Sequence, residues 1–131
     1  AVDESLAAEV PAEAEIIKAK FGAIPIFVVG DMNCEENTVP IQQFLQEGYV
    51  PCYKVATVYA DNNNGHHVCS PTDGYSTHSR RKGPDRETGA IDHCFILDQT
   101  GNTEIKVFDC IMEEYTVKLT DHYPLLIDVR L

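Results

Sequence analysis

The sequence predicts a single α/β domain with a mixed sheet and helices on one face. Three observations carry that prediction. Apolar residues recur at helical spacing near the start, short runs of large apolar residues follow at strand length, and Gly, Pro, Asn and Asp clusters separate them. At 131 residues the chain can bury one real core, and a second domain is not expected.

Leu6, Val10, Ala14, Ile17 and Phe21 lie three or four residues apart, which is the period of one helix face. An amphipathic helix over 5–21 follows, with Pro11 suited to a first helical turn and Gly22 to a stop. Residues 24–29 are apolar on both alternating faces, as in a central strand covered on both sides, with Pro25 at its start. Thr38 can cap a short helix over about 39–47, with Pro40 in its first turn, Ile41, Phe44 and Leu45 on one face and Gly48 as terminator. Residues 50–60, with Val55, Thr57, Val58 and Tyr59, read as one strand. Residues 61–90 hold many turn formers and few large apolars, so they read as a long surface loop. Residues 91–97 and 104–110 flank Gln99-Thr100-Gly101-Asn102 and read as a hairpin. In the last strand, 123–131, Leu125, Ile127 and Val129 alternate with Leu126, Asp128 and Arg130.

Formal charge is −11, from 21 acidic and 10 basic residues, which repels polyanions and argues against a nucleic-acid-coating module. Four of the basic residues, Arg80, Arg81, Lys82 and Arg86, fall in one short stretch that reads first as a solvated loop and second as a local phosphate-facing patch. No apolar run approaches the roughly 18 residues of a membrane span. The first fifteen residues are acidic and alanine-rich, without a signal-peptide pattern. Five cysteines without a C-x-x-C pair do not indicate a disulfide framework, which favours a reducing, cytoplasmic setting for a soluble chain. His66, His67 and Cys69 lack a second ligand cluster at zinc-site spacing.

Three polar clusters sit at ends of apolar runs: Gly30-Asp31-Met32-Asn33, Ile91-Asp92-His93 and Thr120-Asp121-His122-Tyr123-Pro124. Strand ends in α/β folds hold side chains firmly yet at the surface, so ligand and catalytic groups gather there. Read singly, Asp31 and Asn33 are also ordinary turn residues, and Asp121-His122 an ordinary loop pair. Three such clusters make Asp31, Asn33, Asp92, Asp121 and His122 candidates for one pocket. Aspartates bind hard cations such as Mg²⁺, an Asn amide donates to a phosphoryl oxygen, and a His shuttles a proton while a carboxylate orients its ring. These are the parts of a metal-assisted phosphoester hydrolysis. Asp61, Asp73, Asp85 and Asp98 lack such placement. The chain has neither a Gly-rich phosphate loop nor a Gly-x-Ser-x-Gly elbow, so kinase and serine-hydrolase chemistry lack their motifs.

In that order, Val28-Val29-Gly30-Asp31-Met32-Asn33, Ile91-Asp92 and Thr120-Asp121-His122-Tyr123-Pro124 resemble motifs in the carboxy-terminal half of the endonuclease/exonuclease/phosphatase superfamily. The resemblance implies half of a four-layer α/β sandwich, with residues 1–131 forming the carboxy-terminal portion of one such domain. It implies Mg²⁺, or Mn²⁺, near Asp31, Asn33 and Asp121. Asp31 would align the attacking water, Asn33 would hold a phosphate oxygen, His122 would contact the scissile phosphate, and Asp92 would orient His122. Substrates implied are a phosphorylated small molecule, a phospholipid head group or a nucleic acid. Thr77-His78 lies near a Thr-containing element of such relatives, at a loose spacing to which no role attaches. The upstream half of the family's domain, with its metal-binding Glu, has no counterpart in residues 1–30. A missing first sheet would expose apolar surface and favour self-association or a complementing chain.

Overall fold

The computed structural model describes residues 4–59, 69–77, 89–111 and 118–131. Helix α1, Glu4–Phe21, ends at Gly22, whose φ of +80° suits glycine and whose N–H donates to the Lys18 carbonyl at 2.8 Å. Pro11 lies well inside α1 rather than in its first turn. The helix forgoes one hydrogen bond there, and its Ala, Glu and Lys residues sustain it on either side. Val10 and Ala14 turn inward, whereas Ile16 and Phe21 are exposed. Helix α2, Val39–Gln46, has Pro40 in its first turn and buries Ile41 and Phe44. Thr38 precedes it, but its hydroxyl donates to the Glu35 carbonyl at 2.6 Å and does not cap the helix.

Among the described residues there are six strands: β1 Ile26–Asp31, β2 Val50–Pro51, β3 Val58–Tyr59, β4 Asp92–Leu97, β5 Glu104–Cys110 and β6 Leu125–Arg130. They form two three-stranded sheets, ordered β1-β4-β2 and β3-β5-β6. The first is antiparallel throughout; the second is mixed, with β3 parallel and β6 antiparallel to β5. One core lies between the helices and the first sheet, where Phe44 stacks on Phe95 at 5.5 Å. The other lies between the sheets and holds Tyr53, Tyr75, Ile96, Phe108 and four cysteines: Cys52, Cys69, Cys94 and Cys110.

Three expectations are corrected. The 24–29 run is not a central strand among the described residues, because β4 takes the middle of their sheet, with β1 to one side of it and Val29 64% exposed. The 50–60 segment is not one strand. A helical turn, α3 Cys52–Val55, carries the chain from one sheet to the other, and Tyr53 fills the core between them. Changing layers there overrides the strand preference of Val55 and Thr57. Nor do β4 and β5 form a hairpin, for they belong to different sheets and pack face to face through Ile96, Ile105 and Phe108. Asp98 shapes their connection by accepting from the Thr100 hydroxyl and the Thr100 and Thr103 N–H groups, which holds its carboxyl down to about 2. The final strand has the expected alternation, with Leu125, Ile127 and Val129 packed on the inter-sheet core and Leu126, Asp128 and Arg130 outward.

Among the described residues no helix is long and apolar enough to cross a membrane. Asp61, His66, His67, His78, Arg80, Arg81, Lys82, Asp85 and Arg86 lie outside the described residues, as does most of the 61–90 segment.

Candidate functional site

The pairing of β1 with β4 builds the site's floor. Asp31, the last residue of β1, stands opposite Asp92, the first residue of β4. Beyond Asp31 the chain turns sharply: the Asn33 N–H donates to Asp31 Oδ1 at 2.8 Å, and Asn33 takes a φ of +53°. Among non-glycine residues Asn tolerates that conformation well. The Met32 N–H donates to the Ile91 carbonyl at 2.9 Å, tying this turn to the residue before Asp92.

His122 arrives from the segment entering β6. Its Nδ1–H donates to Asp92 Oδ2 at 2.7 Å, while its Nε2 lies 3.9 Å from both Asp31 Oδ2 and Asp121 Oδ1. The bond to Asp92 is the main cause that raises the imidazole pKa above its ordinary value. The charges of Asp92, Asp31 and Asp121 add to it, and partial burial opposes it. The ring is thereby held in one tautomer, with Nε2 directed toward two further carboxylates. Asp31, Asp92 and Asp121 thus surround His122. Asn33 joins them through its backbone N–H, and its side chain is exposed.

Thr77 received no role from the sequence, yet it joins the site's two halves. It is fully buried, and its Oγ1 accepts from the Asp92 N–H at 3.2 Å and from the Ile91 N–H at 3.3 Å. Its carbonyl accepts from the Tyr123 N–H at 2.8 Å, beside His122. Tyr75 adds an O–H bond to the Asp92 carbonyl at 2.9 Å. One threonine therefore clips the strand that presents Asp92 to the segment that presents His122. Only the loose Thr77-His78 spacing hinted at this residue, because a clip made through backbone groups leaves no residue pattern.

His93 follows Asp92 in sequence but not in space. It is 4% exposed, stacks on Phe95 at 5.4 Å and bonds through Nε2 to the Cys34 carbonyl at 2.7 Å. Burial lowers its pKa, against the smaller raising effect of that bond.

Asp31, Asp92 and His122 offer ligand atoms within 4.8 Å of one another. Asp92 is already committed to the His122 Nδ1–H, which leaves carboxylate oxygens of Asp31 and Asp121 on the Nε2 side. Two carboxylates match the small protein share that Mg²⁺ takes beside water and substrate phosphate. A shallow cleft of about 310 Å³ adjoins the cluster, and Val29, Tyr123, Pro124 and Leu125 give it an apolar side.

No protein-family model and no curated protein sequence matches the chain. Solved structures do. An endonuclease/exonuclease/phosphatase from Bacteroides vulgatus is similar at 23% identity and a TM-score of 0.65, over 92% of this chain and 41% of that one. A family protein of the same description from Bacteroides thetaiotaomicron is similar at 17% identity and a TM-score of 0.64, over 94% of this chain and 41% of that one. Another, from Leptotrichia buccalis, is similar at 14% identity and a TM-score of 0.59, over 91% and 40%. The chain therefore has the endonuclease/exonuclease/phosphatase fold, and it spans about two fifths of the length of these structures.

Proposed function

We propose that this chain supplies the aspartate–histidine part of a divalent-metal-dependent phosphoesterase that hydrolyses a phosphodiester or phosphomonoester by attack of water. The observation that carries the reading is His122, bonded to Asp92 through Nδ1 and flanked by Asp31 and Asp121 at Nε2. Asp92 fixes the ring and favours its protonated form, so Nε2 can donate to a phosphoryl oxygen as negative charge develops. Asp31, held by its own turn, would accept a hydrogen bond from the attacking water and orient it. The Asn33 amide would donate to a phosphate oxygen. Asp31 and Asp121, with Asn33, are the residues that would hold Mg²⁺ or Mn²⁺, which when bound supplies charge neutralisation at the phosphate.

A phosphorylated small molecule, a phospholipid head group and a nucleic acid share the phosphoester on which this site would act. The net charge of −11 weighs against extended polyanions. A second reading, a non-catalytic half-domain used for interaction or self-association, draws on the two-fifths coverage and on exposed Val29, Val58 and Leu126.

The test is hydrolysis of bis(p-nitrophenyl) phosphate and p-nitrophenyl phosphate with Mg²⁺ and with chelator, beside His122→Ala. Chelator-sensitive turnover that vanishes in the variant supports the enzyme. Turnover that survives the substitution overturns the assigned role of His122, and no turnover in any condition favours the half-domain reading.

A further inference from the structure

Between the two sheets, Cys52 and Cys94 bring their sulfurs within 3.4 Å of each other, with 0% and 4% of their surfaces exposed. The chain path creates this approach. Val50 and Pro51 pair with Ile96 and Phe95, and α3 begins at Cys52 directly after that pairing, beside Cys94 of β4. A disulfide requires the sulfurs to close from 3.4 Å to a bond of about 2.05 Å.

We propose that Cys52 and Cys94 are a redox-active dithiol that closes to a disulfide by exchange with a low-molecular-weight disulfide, locking the junction of β2 and α3 to β4. The other thiols are placed differently. Cys34 donates to the Met32 carbonyl and Cys110 to the Ser76 carbonyl, and burial pushes Cys69 up to about 12. Either thiol can donate to the other; with Cys52 as the donor the thiolate is favoured at Cys94, and in that form Cys94 is the first attacker. The Cys94 thiolate forms a mixed disulfide and expels one small thiol. The Cys52 sulfur then gives up its proton, attacks the Cys94 sulfur and expels the second. In balance, two protein thiols lose two electrons and two protons, and one small disulfide becomes two thiols.

Burial makes the reaction slow, because the oxidant enters only when the short strand β2 opens from the sheet edge. The lock also bears on the candidate site. Asp92 and Cys94 are two residues apart on β4 and share a face, so the bond would stiffen the strand that presents Asp92.

The test uses the folded chain incubated with oxidised glutathione at neutral pH and analysed by intact mass and by fragmentation of linked peptides. Loss of two hydrogens with a Cys52–Cys94 link, reversed by dithiothreitol, is expected. The link should persist in a Cys69→Ser/Cys110→Ser variant, disappear in Cys94→Ser, and raise Tm by several degrees. Glutathione adducts alone, a link between other cysteines, or a link formed only in denaturant would overturn the proposal. Cross-linking of the denatured chain by the same reagent verifies that the oxidant is competent.

Discussion

Asp92 has two histidine neighbours, one in sequence and one in space, and their environments are opposite. His93 adjoins it on β4 yet turns to the helix side, where the ring is buried against Phe95 and bonded to the Cys34 carbonyl. His122 lies 30 residues on, yet it bonds directly to the Asp92 carboxylate at the surface. Burial lowers the pKa of the first, and the carboxylate raises that of the second. Strand alternation makes the separation, because adjacent residues on a strand project to opposite faces. A polar dipeptide at a strand end therefore contributes one member to the site and the other to the core.

Exchanging each ring for alanine should break this contrast in two directions. In an active form of the protein, His122→Ala is expected to lower phosphoester turnover about 10²- to 10⁴-fold, the usual share of a general acid or base. Its urea midpoint should change little. His93→Ala should instead destabilise by about 2–4 kcal/mol, from the space left in the core and the Cys34 carbonyl left unbonded, as a urea titration would show. A large stability loss in the first variant, or a wild-type midpoint in the second, would erase the distinction.

Thr77 sharpens the comparison because it touches Asp92 and the His122 segment through their backbone N–H groups. Thr77→Val keeps the shape but removes the acceptor for the Ile91 and Asp92 N–H groups, at an expected cost of about 1–2 kcal/mol. The low-field proton signal of a His122 Nδ1–H bonded to carboxylate should weaken in Thr77→Val and return in Thr77→Ser. The signals of His93 should hold steady in both.

Much of this arrangement was legible before any coordinates. The three motif clusters named Asp31, Asp92 and His122, and the structure brings their side chains together; Asp121 adjoins them, whereas Asn33 contributes a backbone bond. Helix α2 and the last strand follow their apolar periods, and α1 does so at Val10 and Ala14 but not at Phe21. Sheet membership did not show. The short apolar runs in 91–97 and 104–110 say that both are strands, but not whether they pair edge to edge or pack face to face, since either buries Ile96 and Phe108. The same limit hid the break at 52–55, where burying Tyr53 between layers prevails over local strand preference. Thr77 stayed hidden for a related reason: its partners are backbone groups distant in sequence.

The smallest expected effect is also the one that separates the two histidines by sign. The folded-state pKa of His93 lies below its unfolded value of about 6.5, so between the two the unfolded chain binds more protons. Its contribution to stability is steady above about pH 6.5 and declines as pH falls toward the lowered value. The folded-state pKa of His122 lies above 6.5, so there the folded chain binds more protons. Its contribution is full below about pH 6.5 and is lost as pH rises through the raised value. Urea midpoints from pH 5 to 9 for wild type, His93→Phe and His122→Ala should therefore yield difference curves of opposite slope. Removing His93 should flatten the acid-side loss, and removing His122 the loss on the alkaline side of 6.5. Because His122 is more exposed and its ion pairs are screened, its slope should shrink as salt is added, while that of buried His93 should persist. Two slopes of the same sign would mean that one ring does not occupy the environment assigned to it.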